Sequence, residues 1–280
     1  MPSEAGKSWV VGLSFRPIFQ IMIQHFWTCL RFYTRLPTPA EAGGHAPPDF
    51  EASSWAIPLV GALVGAIGGV ALLIAVRLGL SPMLAAAVAV AAMALVTGAL
   101  HEDGLADFMD GVGGGATRDT KLAIMRDSRL GSYGALALCL TSLLRVFALA
   151  ALAQTSALAA ACALIFAGAT SRSAGLLPMS LLTPARADGA GAAATAPSLH
   201  VLGAMAGKTM LIAFLPLLSG VSPFALALAF LLAYAVCVLV ARVAQQQIGG
   251  YTGDVLGAAQ QAAEIIMLMT LSAGDGDAFG

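Results

Sequence analysis

Long stretches without a formal charge constrain this chain more than any motif does. Residues 52–76 and 78–100 contain no Asp, Glu, Lys or Arg, and residues 130–171 are interrupted only by Arg145. Residues 209–240 form a further run, broken by Pro216, Gly220 and Pro223. About 20 apolar residues in a helix cross a hydrocarbon core of ~30 Å, so runs of this length specify membrane-spanning helices. With 59% hydrophobic and 10% charged side chains, the chain also lacks the polar groups to coat a soluble globule. The expectation is an all-α, polytopic integral membrane protein of six or seven transmembrane helices. Glycine and alanine are abundant in the runs, as suits helices that associate by close backbone approach. No repeat or shift in composition marks a second unit, so residues 1–280 read as a single membrane domain.

A net charge of −1 names no partner, and no nucleic acid is expected as one. The placement of the fourteen Lys and Arg is more informative. Lys7, Arg16, Arg31 and Arg35 precede the first run, Arg118, Lys121, Arg126 and Arg129 cluster in one connection, and Arg186, Lys208 and Arg242 follow on the same side of the alternation. Arg77 stands alone on the other side, and Arg145 and Arg172 fall at membrane depth. Positive residues gather on the cytoplasmic side of a membrane protein. The N-terminus and long loops, residues 185–198 among them, are therefore expected in the cytoplasm, the protein in a bacterial inner membrane and its surface against lipid. Nothing fixes the oligomeric state. Residues 1–18 read as a flexible tail, 19–36 as an interfacial helix and 274–280 as a second tail. Cys29, Cys139, Cys162 and Cys237 are scattered singly and read as small buried hydrophobes.

Residues 98–134 carry the chemistry. Their first part, GALHEDGLADFMDGVGGG at 98–115, places Asp103, Asp107 and Asp110 at spacings of four and three. On one helix these fall within about 60° of one another, a single acidic face opposite His101, Leu105 and Phe108. Three such carboxylates repel unless a cation sits among them, and oxygen ligands favour a hard ion such as Mg2+. The second part, 117–134, holds Arg118, Lys121, Arg126 and Arg129 behind Gly113, Gly114 and Gly115. Guanidinium forks grip phosphate oxygens, and glycines let backbone approach a ligand. An acidic metal site beside a basic clamp suits phosphoryl transfer. Farther on, GGYTGDVLGA at 249–258 sets Asp254 among glycines at a membrane edge, followed by Gln261 and Glu264. Arg145 and Arg172 are candidates by their depth, with pairing to a helix carbonyl or to Glu264 as the structural alternative.

These pieces resemble the cobalamin synthase family, the adenosylcobinamide-GDP ribazoletransferases, from Phe32 to about Glu264. The likeness rests on FYTRLPTP at 32–39, HEDGLADFMDG at 101–111, RDTKLAIMRDSRLG at 118–131, Thr170-Ser171-Arg172, Gly207-Lys208 and GGYTGD at 249–254. It implies a magnesium-dependent membrane enzyme that joins adenosylcobinamide-GDP to α-ribazole or its phosphate and releases GMP. On that footing Asp103, Asp107 and Asp110 are expected to hold metal, Arg118, Arg126, Arg129, Arg172 and Lys208 to bind substrate, and Asp254 to serve as a further ligand or base. Residues 107–111 also look like the opening of a CDP-alcohol phosphatidyltransferase motif, although the rest of that motif does not follow. That lipid enzyme, and more distantly a cation-coupled transporter, are the alternative readings.

Overall fold

The computed structural model describes residues 15–39 and 48–274. The tail expected at 1–18 falls mostly outside them, as do Lys7 and residues 275–280. Residues 15–18 belong to a helix, α1 (Phe15–Tyr33), which therefore starts earlier than expected.

Among the described residues six helices or helix pairs are long and apolar enough to cross a membrane, or seven if one bent pair counts as a single span. The first is α2 (Ala56–Arg77). The bent pair follows as α3 (Pro82–Thr97), opened by the hydroxyl of Ser81 and by Pro82 in its first turn, and α4 (Leu100–Gly114). A short α5 (Arg118–Ile124), capped by Thr117, leads to α6 (Ser132–Thr155). Ser156 ends α6 and caps α7 (Ala157–Ala174), which α8 (Leu177–Leu181) extends. After α9 (Ala190–Ala193), α10 (Leu199–Ile212) and α11 (Phe214–Leu218) make one crossing. The chain turns at Gly220, φ +100°, into α12 (Pro223–Ile248) and ends on α13 (Gly253–Gly274). The run at 209–240 is thus parts of two spans rather than one, because Ser219 and Gly220 stop the first and Pro223 starts the second.

The spans with α7 and with α13 are the most deeply buried, and around them the others pack. Alanine and glycine make this possible. A Cβ added at Gly61 or Gly65 of α2 would lie 2.3 or 2.1 Å from the carbonyl oxygens of Gly168 or Leu164 on α7, so the two backbones touch. Of the free cysteines, Cys29 and Cys237 are buried as expected, whereas Cys139 is exposed.

The connections carrying the sequence motifs meet at one end of the bundle. Thr183 and Ala185 exchange backbone hydrogen bonds with Tyr251 at 3.0 and 2.8 Å, and Arg118 donates to the carbonyls of Ile248 (2.9 Å) and Ala185. Residues 185–198, expected as a free loop, are tied at both ends, since the Ser198 amide and hydroxyl donate to Glu51. Lys208 and Arg242, assigned to connections by their charge, instead lie exposed within spans.

Candidate active site

The acidic helix owes its position to a sharp bend. Gly98 (φ +63°) ends α3, and Ala99, the one non-glycine residue with positive φ among those described, follows at φ +56°. Two left-handed residues in succession turn α4 through 89° from α3. The turn is held from outside: the Arg35 amide donates to Val96 at 2.7 Å, and the Arg35 side chain crosses Gly98 where no Cβ would fit. The unbroken run at 78–100 concealed this, because the segment beyond Thr97 does not continue along the axis of α3. It runs instead beside the start of α6, where Asp110 meets Gly131 and Gly134.

There α4 crosses the start of α13 at glycine on both sides. A Cβ at Gly104 would meet Asp254 Cα at 3.1 Å and Gly257 Cα at 3.3 Å. Such contact brings Asp103 and Asp107 of α4 toward Asp254 of α13. Asp107 is half-buried, with Asp103 and Asp254 among its charged neighbours. Among the described residues no hydrogen bond or ion pair engages the side chains of Asp103 or Asp107. Asp254 accepts from the Thr252 hydroxyl at 3.1 Å and lies 3.7 Å from Arg186.

Asp110 has a different fate. It is buried, and its two oxygens accept from the amides of Gly131 (2.7 Å) and Gly134 (2.8 Å), which fixes the start of α6. Three aspartates share a helix face as expected, but only two of them point to the common site. Among the described residues no three of His, Cys, Asp and Glu are gathered closely enough to enclose an ion unaided. Mg2+ does not require that, since it commonly takes one or two carboxylates, keeps waters and completes its shell with substrate phosphate. Asp103 and Asp107, free of partners and opposed by like charge, with Asp254 beside them, fit such an ion.

The basic cluster is placed less simply. Arg118 is bound to backbone carbonyls, and Lys121 is buried with its ammonium on Val112 O (3.1 Å) and Gln247 Oε1 (2.5 Å). Nη2 of Arg126 donates to both carboxylate oxygens of Asp188, at 2.6 and 2.7 Å, and exposed Arg129 pairs with Asp127. Gly113 packs under the Tyr133 ring and Gly115 against Lys121, so these glycines serve packing rather than a phosphate cradle. The structure gathers Arg172 and Asp254 with the acidic cluster, brings Arg126 to its margin through Asp188, and leaves Arg129 and Lys208 apart.

Beneath the cluster lies a buried ion network. Arg145 pairs with Glu102 at 2.8 Å and with Glu264 at 2.6 Å, and Arg172 lies 3.9 Å from Glu264 and donates to Gly168 O at 3.1 Å. Gln260 donates to Ser171 and Glu264, and Gln261, which accepts from Arg145, donates to Gln260. Two cations and two carboxylates balance, as buried charges must.

Two cavities flank Asp254. One, of about 210 Å3, is mainly apolar and holds Tyr33, Phe50, His101 and Leu256 in its wall, with Asp103, Asp254, Arg172 and Gln260 as its polar part. The second, of about 180 Å3, is lined by Arg186, Asp188, Gly189, Thr252 and Asp254. Nη1 of Arg186, a residue of this lining, is buried without a hydrogen-bond partner. Arg186, counted in the sequence only as a charge that sets topology, and Gln260, which lines the first cavity beside the Gln261 that the sequence singled out, were both missed. Only contacts distant in sequence reveal either.

A polytopic helical membrane protein with carboxylates, glycines and a partly unsatisfied arginine at one end of its bundle is the class that fold and site define. The profile of the cobalamin-5-phosphate synthase family matches residues 25–272, and the chain belongs to that family. A relative from Azorhizobium caulinodans is 48% identical over 86% of this chain and 92% of its own length. One from Xanthobacter autotrophicus is 47% identical over 88% and 94%, and one from Bradyrhizobium diazoefficiens 44% over 86% and 90%. Each bears the name adenosylcobinamide-GDP ribazoletransferase. No solved structure matches the chain.

Proposed function

We propose that this protein is an adenosylcobinamide-GDP ribazoletransferase, which joins adenosylcobinamide-GDP to α-ribazole or α-ribazole phosphate with release of GMP. The relatives' shared name supports the substrates. What carries the chemistry is the convergence of Asp103, Asp107 and Asp254 from two helices beside the unpartnered nitrogen of Arg186.

A ribose hydroxyl of the acceptor attacks the phosphorus attached to cobinamide, an oxygen–phosphorus bond forms, the pyrophosphate bridge breaks and GMP leaves. Such transfers depend on positioning and charge neutralisation more than on covalent participation by the protein. Asp103 and Asp107, with Asp254 beside them, would hold Mg2+, which when bound neutralises charge on the phosphates. Arg186 presents a desolvated donor to a phosphate oxygen, and Arg126 can add its fork from the rim if it releases Asp188. The first turns of α4 and α13 border the cavities, so their partial positive ends favour an anionic substrate. A carboxylate not engaged by the metal takes the hydroxyl proton, and Asp254 suits that role between the two cavities. Arg172, below the apolar cavity, adds a fixed positive charge to its floor. Asp110 supports the site from behind.

The protein would sit in the bacterial inner membrane with its apolar belt in lipid and this end in the cytoplasm. Arg31, Arg35, Arg118, Lys121, Arg126, Arg129 and Arg186 lie toward the site end against Arg77 at the other, which supports that orientation. The test is GMP release from adenosylcobinamide-GDP and α-ribazole by the purified protein in detergent, with Mg2+ or with chelator. Release that needs both substrates and the cation is expected; no release in any condition would refute the activity.

A further inference from the structure

Asp254 stands between two cavities, one mainly apolar and one more polar, and a reaction between two substrates needs two places. Resting on the activity proposed above, we infer that the aromatic-walled cavity receives the planar two-ring base of α-ribazole, while the cavity of Arg186 receives the phosphates of the nucleotide donor.

Size supports this assignment. A cavity of about 150 Å3 holds a benzene ring. The present one, at about 210 Å3, has room for a fused pair of rings and none for a corrinoid. Its chemistry points the same way. Tyr33 stacks on His101 with planes 12° apart and centroids 5.7 Å apart, and Phe32 stands edge-on to Phe50 at 5.7 Å. Aromatic walls of this kind accept a flat base, and the few polar groups of a largely apolar pocket fix its orientation. The base of α-ribazole carries one free ring nitrogen, an acceptor. Among the described residues no hydrogen bond engages the His101 imidazole in the wall, which can donate to that nitrogen. Guanine carries several donors and acceptors, and most would be left unpaired among Phe50, Leu100, Leu176 and Leu256. Asp103 and Asp254 line the same cavity, so a seated base brings its ribose to the carboxylates. Asp254 also lines the second cavity, with Arg186 and Gly189, where a guanidinium with one unpartnered nitrogen and a more polar lining suit a phosphate. Attacking hydroxyl and phosphorus then meet at Asp254.

The test separates the two substrates. Leu256 is partly buried, and its side chain lines the apolar cavity alone, so Leu256→Trp fills that space. It should raise KM for α-ribazole by about tenfold or more while KM for adenosylcobinamide-GDP stays within about twofold. Arg186→Lys should do the reverse, because a lysine lacks the fork. With wild-type protein, the free base of α-ribazole should inhibit competitively against α-ribazole and not against the donor. This last measurement needs no variant and decides the matter if Leu256→Trp does not fold. Free base that competes with the donor, or a folded Leu256→Trp that changes donor KM instead or neither KM, would overturn the assignment while leaving the activity intact. Wild-type protein that releases no GMP at all would instead remove the activity on which the assignment rests.

Discussion

Two neighbouring stretches dense in charge meet opposite fates in this fold. On α4, Asp103 and Asp107 stand without a counter-charge of their own and face Asp254. Within 118–129, by contrast, every cation has found a partner in the chain: backbone carbonyls for Arg118, Val112 and Gln247 for Lys121, Asp188 for Arg126 and Asp127 for Arg129. In the sequence both look equally functional. The difference teaches that charge density alone does not mark a site, whereas charge left uncompensated where the chain could have compensated it does. Asp110 makes the same point within a single helix, three residues from Asp107 yet satisfied by two amides.

The comparison can be broken at four places. The largest effect is expected at the uncompensated acids: Asp103→Asn or Asp107→Asn should lower GMP release about a thousandfold or more, because losing a metal ligand costs several kcal/mol of transition-state stabilisation at ~1.4 kcal/mol per tenfold. Thermal stability without metal should hold or rise, since a repulsion is removed. Wild-type turnover in both would show that free carboxylates here do nothing. Next comes Glu264→Gln, which leaves Arg145 and Arg172 buried without their shared partner and should cost about 3–5 kcal/mol of stability in detergent; an unchanged melting temperature would mean the network is not the compensated structure described.

A smaller loss belongs to Asp110→Asn. It keeps the shape but replaces a charged acceptor to Gly131 and Gly134, for about 1–3 kcal/mol of stability, and activity should fall only as far as the start of α6 loosens. If Asp110→Asn instead abolished turnover with stability intact, Asp110 would rejoin Asp103 and Asp107 as a metal ligand. Least affected should be Arg129→Ala, an exposed pair at the surface, with kinetics within about twofold and no measurable change in melting. A large rise in donor KM there would return Arg129 to the phosphate site and blunt the contrast.

The spans were legible because a charge-free run is a property of the line of the sequence, and length against bilayer thickness decides it. The acidic face was legible for the same reason, a spacing read on one helix. The bend at Gly98 and Ala99 was not, since it depends on Arg35, more than sixty residues earlier, crossing over the glycine. Nor was the loss of Asp110 to amides 21 and 24 residues away. The arginine cluster misled in part because guanidiniums bind main-chain carbonyls as readily as phosphates, and nothing local tells which they will meet. Arg186 lay hidden by the converse: a lone arginine becomes conspicuous only when the fold buries one of its nitrogens without a partner.

The most direct test of the central claim is Mn2+ binding, followed by the electron paramagnetic resonance of the free ion, to purified protein with adenosylcobinamide-GDP present. Wild type, Asp110→Asn and Arg129→Ala should take up the ion, and Asp103→Asn and Asp107→Asn should bind it at least about tenfold more weakly, the factor that ~1.4 kcal/mol of lost ligation gives. Equal uptake by all five proteins would contradict the claim that the uncompensated carboxylates of α4 are the site.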